Sequence, residues 1–313
     1  MDKKSKIVLI SGPTASGKSN FAIKIAKKIN GEIINADSMQ VYKQFKILTA
    51  RPGKKEQENI KHYLYGVIEL DKNFSTGQWL KTAIKNIKEI HKKNKIPIVV
   101  GGTGLYFQSL INGLVKIPKI PLTIKKKVRA MQKKIGQDNF YKKLLKLDKK
   151  VKGKFNSNDT QRSIRAFEIK LYTKISMYDW LIKTKSVFNE NQFLKLYVNF
   201  DREELIKRIS LRTVKMLKEG AIQEVKRFNK KKIKKDSSVN KVIGLIELKQ
   251  YLKNEISLEQ SRELIAIRTR QYAKRQATWA RSRMQNWNKI KPNEISRWLK
   301  KINKSSLKLD QLM

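Results

Sequence analysis

One short stretch near the start of the chain constrains the fold more than any other feature. It matches the phosphate-binding loop pattern G-x-x-x-x-G-K-[ST] and consists of Gly12, Pro13, Thr14, Ala15, Ser16, Gly17, Lys18 and Ser19. Residues 6–10 before it are typical of a buried parallel strand, and residues 21–29 after it carry one apolar helical face. A strand, a glycine loop and a helix N-terminus turn backbone N–H groups toward one point, which makes a cradle for an anion. The stretch therefore predicts an α/β core that binds a di- or triphosphate, although it does not identify the reaction.

Two side chains of this loop suit phosphate chemistry. Lys18 supplies a full positive charge, and the Ser19 hydroxyl is a ligand that Mg²⁺ accepts. We therefore assign residues 12–19 to diphosphate or nucleotide binding and Ser19 to a magnesium site.

The composition limits the classes of protein to which the chain can belong. Its 313 residues include 72 Lys and Arg against 26 Asp and Glu, a formal net charge of +46. Such an excess attracts polyanions, nucleic acid first, although a genome biased toward Lys, Ile and Asn would produce it too. The absence of cysteine excludes disulfides and thiolate catalysis. No apolar segment resembles a signal peptide or a membrane span, so we expect a cytoplasmic protein without membrane attachment.

Two candidate catalytic residues follow predicted strands. Asp37 comes directly after a predicted strand at residues 32–36, and Thr103 lies in the Gly-Gly-Thr-Gly stretch that follows residues 96–100. In an open α/β sheet, ligands bind beyond the carboxyl ends of the strands, so we expect both side chains to face the phosphate loop. Asp37 could instead cap a following helix, because Asp is a favoured N-cap residue.

The middle of the chain has a different character from its ends. Residues 118–191 read as successive helices with no buried strand among them, and residues 193–200 read as a strand that returns to the sheet. The sequence thus predicts an α/β fold with a P-loop NTPase-like parallel sheet core, formed by residues 1–117 and 192–313. A helical insertion at 118–191 interrupts this core, and the C-terminal region is mostly helical. Between the first strands, residues 54–61 read as a polar helix and residues 62–71 as a strand.

Two clusters of arginine lie in predicted helices. Gln161, Arg162 and Arg165 fall within about one helical turn, which suits contact with a nucleic-acid backbone or base edge. Ion pairing with a neighbouring glutamate is the alternative. Arg208 and Arg212 are four residues apart, and one of them could reach a leaving diphosphate with its planar fork, or both could lie on a surface helix.

A third cluster mixes arginine with aromatic residues. The stripe consists of Arg268, Tyr272, Arg275, Trp279 and Arg283. Such a stripe suits RNA, through phosphate contacts and base stacking. A Tyr/Trp core face covered by extended arginine side chains would give the same pattern.

Five stretches of the chain together resemble one family, the tRNA dimethylallyltransferases, also called tRNA isopentenyltransferases. They are GPTASGKS at 12–19, NADSMQVY at 35–42, GGTGLY at 101–106, NDTQR at 158–162 and RQYAKRQATW at 270–279. They keep the family's order and span nearly the whole chain, so they are far more specific than the phosphate loop alone. The Gly-Leu-Ile-Glu stretch at 244–247 departs from the family, which commonly has Gly-Tyr followed by a basic residue and Glu. We therefore carry no RNA-contacting role over to that stretch.

The resemblance implies transfer of a dimethylallyl group from dimethylallyl diphosphate to N6 of the adenosine 3′-adjacent to the anticodon in tRNA. It implies that Asp37 accepts the amine proton or orients the amine, and that Thr103 helps position the substrates. It also implies that Arg212 joins Lys18, Ser19 and Mg²⁺ on the diphosphate. The expected partner is the tRNA anticodon stem-loop, and the expected state is a monomer. The positions implied to contact tRNA are Asp37, Ser38, Met39, Gln40, Lys125, Gln161, Arg162, Ser163, Ile164 and Arg165.

Three alternatives compete with this interpretation. A small-molecule kinase also uses a phosphate loop, but the GGTG ending and the arginine-aromatic helix argue against it. An isopentenyltransferase that acts on free adenine nucleotides would not need the long basic insertion. A non-enzymatic RNA-binding protein would leave the phosphate loop, Asp37 and Thr103 without a purpose.

Overall fold

The computed structural model describes residues 6–182, 184–233 and 237–301. Contacts divide the chain into two compact units. The first, here called the sheet unit, comprises Met1–Ile111 and Phe188–Met313, and the second, the helical unit, comprises Asn112–Val187. The sequence places the insertion at 118–191, and the helical unit lies at 112–187.

The described part of the sheet unit is built on a six-stranded parallel sheet in the order β3-β2-β4-β1-β5-β6. The strands are β1 Ile7–Ser11, β2 Gly31–Asn35, β3 His62–Tyr63, β4 Ile96–Gly101, β5 Phe193–Val198 and β6 Asn288–Ile290. Because all pairs are parallel, the carboxyl ends of β1, β2 and β4 meet at one edge. This is the edge from which the phosphate loop, Asp37 and Thr103 leave the sheet.

Apolar side chains cover both faces of the sheet. In β1, Ile7 and Leu9 belong to the core cluster that α2 (Thr76–Lys92) and α3 (Gly104–Asn112) contribute to. Val8 and Ile10, which point to the opposite face, belong to the cluster built with α1 (Lys18–Ile29). A parallel strand buried on both faces needs an uninterrupted apolar run, which is why residues 7–10 show no alternation with polar residues.

The C-terminal half of the sheet unit is helical. Its helices are α7 Arg202–Lys218, α8 Ala221–Asn229, α9 Leu245–Leu252, α10 Leu258–Arg283 and α11 Ile295–Lys301. A third core cluster joins α8 and α9 to the segment at residues 41–48 that follows Asp37. The helical unit contains α4 Leu122–Leu147, α5 Thr160–Thr173 and α6 Met177–Ile182 around a core of its own.

Two local expectations from the sequence differ from the structure. Residues 54–61 form turns and no helix, and the strand expected at 62–71 ends at Tyr63 because Leu64 and Gly66 take positive φ angles of 64° and 60°. In α4, Gly136 has a φ of 75° and kinks the helix. Within the described residues, no helix is long and apolar enough to cross a membrane.

Candidate active site

The phosphate loop connects β1 to α1 and leaves the start of the helix open. Ala15 and Gly17 adopt left-handed φ angles of 65° and 81°, and no side chain caps the first turn at Gly17. The first N–H groups of α1 therefore remain available to an anion. Position 12 requires a glycine because neighbouring atoms lie close to its backbone. A Cβ there would lie 2.9 Å from both the Val198 carbonyl oxygen and Ser16 Oγ.

Two basic side chains converge on the loop. Lys18 Nζ donates to the Pro13 carbonyl oxygen at 3.0 Å, and Arg212 of α7 donates through Nη1 to Thr14 Oγ1 at 2.7 Å. Burial lowers the pKa of Lys18 to about 8, an effect that the Asp37 carboxylate opposes and Arg212 reinforces. Burial also lowers the pKa of Arg212, again opposed by Asp37. The structure thus brings together two cations and one carboxylate that lie 19 to 194 residues apart in the sequence.

Asp37 is held in a turn directly after β2. Its N–H donates to Asn35 Oδ1 at 2.8 Å, and its own Oδ1 accepts the N–H of Met39 at 2.8 Å and that of Gln40 at 3.3 Å. Among the described residues, Oδ2 accepts no hydrogen bond. No helix begins here, so the alternative role of a helix cap is wrong, although Oδ1 does cap a turn. One oxygen of Asp37 fixes the loop and the other is available to a ligand.

Thr103 joins the ends of β4 and β2. Its Oγ1 accepts the N–H of Ser38 at 3.0 Å, and its N–H donates to the Ala36 carbonyl oxygen at 3.1 Å. The neighbouring Gly101 allows this approach, because a Cβ there would lie 2.2 Å from the Ala36 backbone. Thr103 therefore positions the loop that carries Asp37.

Three tyrosines surround the carboxylate. The pKa values of Tyr65, Tyr106 and Tyr272 are raised, first by burial and then by the negative charge of Asp37. Their hydroxyls stay protonated at neutral pH and can donate hydrogen bonds.

Helix α10 adds two residues that sequence reasoning did not assign to the site. Gln276 Oε1 accepts the N–H of Thr14 at 2.8 Å, and Gln276 Nε2 donates to the Gly102 carbonyl oxygen at 2.9 Å. The side chain of Tyr272, one turn earlier on the same helix, lies close to those of Thr103 and Gln276. Both residues lie in the RQYAKRQATW stretch, so the family resemblance pointed to this region of the chain. Helical periodicity alone could not distinguish Gln276 from its neighbours as a residue of the site.

The arginine-aromatic stripe of α10 divides by residue type, with Tyr272 and Trp279 partly buried and Arg268, Arg275 and Arg283 exposed. Arg268 Nε lies 2.6 Å from Glu247 Oε1, whose side chain is almost fully buried. Trp279 packs against the core beside Gly104, where a Cβ would come within 2.1 Å of its Nε1. Arg275 stacks 5.8 Å from the Tyr272 ring centroid and lines the site. Glu247 belongs to the 244–247 stretch that departs from the family pattern, and it is used here as an internal ion-pair partner.

A cavity of about 470 Å³ lies between the phosphate loop, the Asp37 turn and helices α7 and α10. Its polar wall includes Thr14, Gly17, Lys18, Ser19, Asp37, Ser38, Gln40, Arg212, Tyr272 and Arg275. Its apolar wall includes Met39, Leu48, Ile209, Met216, Val242, Ile243 and Ile265. The cavity can thus hold a polyanion at one wall and a short hydrocarbon group at the other.

The remaining candidate residues lie in the helical unit. Asp159 caps α5 by accepting the Arg162 N–H at 2.9 Å, and Arg165 lies 3.6 Å from Glu168. Ser163 is buried and its Oγ accepts from Gln137 Nε2 at 3.1 Å, so that hydroxyl serves the unit's own packing. Of the other candidates, Gln161 is exposed, whereas Ile164 and, on α4, Lys125 are partly exposed.

Comparison with known proteins places these features in one family. The sequence profile described as IPP transferase matches residues 40–283. A tRNA dimethylallyltransferase of Pelagibacter ubique strain HTCC1062 is 70% identical over 312 residues, which is 100% of both chains. One from Rickettsia massiliae strain Mtu5 is 40% identical and covers 91% of this chain and 78% of its own.

Two solved structures are also similar. A tRNA isopentenylpyrophosphate transferase of Bacillus halodurans matches with a TM-score of 0.70 at 29% identity, over 98% of this chain and 99% of its own. A eukaryotic dimethylallyltransferase acting on tRNA matches with a TM-score of 0.81 at 31% identity, over 94% of this chain and 75% of its own. The similar proteins are tRNA transferases and not small-molecule kinases.

Proposed function

The chain belongs to the IPP transferase family, and we propose that it transfers a dimethylallyl group from dimethylallyl diphosphate to N6 of the adenosine 3′-adjacent to the anticodon in tRNA. The observation that carries this proposal is a single cavity lined both by a diphosphate cradle and by Asp37, which has one carboxylate oxygen free of hydrogen bonds within the described residues. A prenyl transfer to an amine needs both, a sink for the leaving diphosphate and an acceptor for the amine proton.

The leaving group is handled by the loop and its two cations. An allylic diphosphate departs when its developing charge is neutralised, and Lys18, Arg212 and the open N-terminus of α1 supply positive charge in a largely buried site. The apolar wall of the cavity suits the five-carbon chain. The C1–O bond breaks toward the loop while the C1–N6 bond forms on the opposite side.

Asp37 lies where the nucleophile would enter. The amine of adenine is a weak nucleophile, and a carboxylate that takes its proton helps the attack by about 10²–10⁴-fold. Because Oδ1 is engaged by two backbone N–H groups, Oδ2 is the atom that accepts the proton. Thr103 holds the Ser38 N–H and so fixes the approach of this loop.

Magnesium fits the donor set of the site. Among the described residues, no three His, Cys, Asp or Glu side chains cluster to hold an ion by themselves. Ser19 lies in the cavity wall and would hold Mg²⁺ together with the substrate's phosphate oxygens, which is a common arrangement for this ion. When bound, Mg²⁺ would neutralise charge on the leaving diphosphate.

The RNA contacts are proposed on two groups of residues. Ser38, Met39 and Gln40 line the cavity beside Asp37, where a base would enter after leaving the anticodon-loop stack. In the helical unit, Lys125 and residues 161–165 are proposed to contact the tRNA, with the exposed Gln161 and Arg162 as its most accessible members. Unstacking the base costs a few kcal/mol, roughly, which these contacts must offset.

One experiment tests the function. The protein is mixed with Mg²⁺, dimethylallyl diphosphate and an anticodon stem-loop with consecutive adenosines, and the RNA is analysed by mass spectrometry. We expect the RNA to gain one five-carbon unit, on the adenosine 3′-adjacent to the anticodon. An unchanged RNA, a prenylated free nucleotide, or phosphate transfer from ATP to a nucleoside would contradict the proposal.

A further inference from the structure

We propose that Gln276 is a positioning residue that sets the separation between the diphosphate cradle and the loop that carries Asp37. This inference rests on the proposed function, because it concerns the alignment of the two substrates of that reaction. Gln276 stands on α10, outside both loops, and its side-chain amide bridges them. Its oxygen accepts the N–H of Thr14 at 2.8 Å and its nitrogen donates to the carbonyl oxygen of Gly102 at 2.9 Å.

The bridge continues from Gly102 to the catalytic carboxylate. Thr103 follows Gly102 directly in the chain, and the side chain of Tyr272, one turn before Gln276 on the same helix, lies close to both Thr103 and Gln276. Thr103 in turn accepts the N–H of Ser38, the residue after Asp37. On the other side, Thr14 receives the hydrogen bond of Arg212. One amide group thus stands between the half of the site that holds the leaving group and the half that holds the base.

The space at Gly102 supports this role for Gln276. A Cβ at position 102 would lie 2.0 Å from Gln276 Nε2 and 3.1 Å from its Cδ, while its next neighbour, the Gly12 carbonyl oxygen, would be 3.5 Å away. The φ of Gly102 is outside the left-handed region, so its backbone would accept any L-residue. The absence of a side chain at 102 is therefore explained by the place that the Gln276 amide occupies.

The chemistry of the bridge requires a neutral amide of this length. It must accept from one backbone group and donate to another, and a glutamate carboxylate cannot donate to the Gly102 carbonyl. Transfer between two bound substrates depends steeply on their alignment, and a displacement of about 1 Å can cost about 10²-fold in rate. Removing the bridge should therefore slow the transfer step and should change the affinities for the separate substrates much less.

The test is a double-mutant cycle on single-turnover rates with both substrates saturating. Gln276→Ala should slow transfer by about 10- to 100-fold. Gly102→Ala should have a similar effect, because its methyl group displaces the amide. The double variant should be no slower than Gln276→Ala, because the methyl then meets no amide. Gln271→Ala is the matched control, an exposed glutamine on the same helix, and should keep the wild-type rate.

Gln276→Glu adds a readout that depends on the donor itself. Its rate, taken relative to the wild type at the same pH, should be low at neutral pH and should recover as the introduced carboxyl is protonated in acid. This variant serves too if Gln276→Ala does not fold. A wild-type rate in Gln276→Ala would overturn the inference, as would a double variant slowed by the product of the two single effects. In both cases the wild-type protein still transfers the prenyl group, whereas a failure of the proposed function would leave it without product.

Discussion

The charge of Lys18 depends on pH in a range close to neutrality. Burial lowers its pKa from 10.5 to about 8, so the unfolded chain binds more protons than the folded protein between these values. Below pH 8 the residue is charged in both states, so its burial lowers the free energy of unfolding by the full amount. The free energy of unfolding rises again as pH increases from 8 toward 10.5. Binding has the opposite dependence, because a diphosphate attracts only the protonated form.

We predict that the affinity of the free protein for dimethylallyl diphosphate falls as pH rises through about 8. Calorimetric titration without RNA, on both sides of that pH, measures it. Lys18→Arg keeps its charge throughout and should bind with a flatter profile. An equally steep fall in this variant would show that a different group titrates.

At the scale of elements, a single carboxylate attaches the loop after Asp37 to helix α8. Glu224 accepts the N–H groups of Lys46, Ile47 and Leu48 at 2.7, 2.9 and 2.9 Å, with its side chain buried. Leu48 lines the cavity, so this attachment shapes the substrate wall. Hydrogen bonds from backbone groups to a buried charge are strong, and losing them leaves the donors unsatisfied.

We predict that Glu224→Gln lowers the free energy of unfolding by about 2 kcal/mol. The new amide N–H₂ would face a backbone N–H, and that buried donor would lose its acceptor. This corresponds to a fall in the melting temperature of about 4–8 °C, which thermal unfolding followed by circular dichroism can measure. The control is Glu219→Gln, an exposed residue with one ion pair to Lys215, which should shift stability by under about 1 kcal/mol. Equal shifts in the two variants would refute the attachment.

The sequence predicted the local parts of the site better than the links between them. The phosphate loop and Asp37 could be identified because a short motif after a strand places them at the carboxyl edge of the sheet. Gln276 could not, because its partners are 174 and 262 residues away along the chain. The end of β3 was missed because positive φ angles at Leu64 and Gly66 override an apolar pattern that favours a strand.

At the scale of the whole molecule, the net charge of +46 remains however many ion pairs form, because each pair joins one positive and one negative charge. Buried acids are matched locally, as Glu247 is by Arg268 and Glu32 by Lys93 and Lys95. We expect the remaining Lys and Arg to act mainly as a surface field that attracts a polyanion.

We predict that RNA affinity falls steeply with salt. Each phosphate contact should contribute about −0.7 to −0.9 to the slope of log K against log salt concentration. Fluorescence anisotropy with a labelled anticodon stem-loop measures the slope, and Gln161→Ala, which removes no charge, should leave it unchanged. A flat titration would mean that the charge reflects composition and not a binding surface.

The most direct test of the account is the single-turnover rate of Asp37→Asn and Asp37→Ala, with both substrates saturating and folding checked by circular dichroism. An asparagine keeps the Oδ1 acceptor for the N–H groups of Met39 and Gln40 but cannot take the proton of the adenine amine. We predict that both variants lose about 10²–10⁴-fold in rate and bind dimethylallyl diphosphate nearly as well as the wild type. An Asp37→Asn variant that transfers at close to the wild-type rate would contradict the account, because the carboxylate would then serve only the turn.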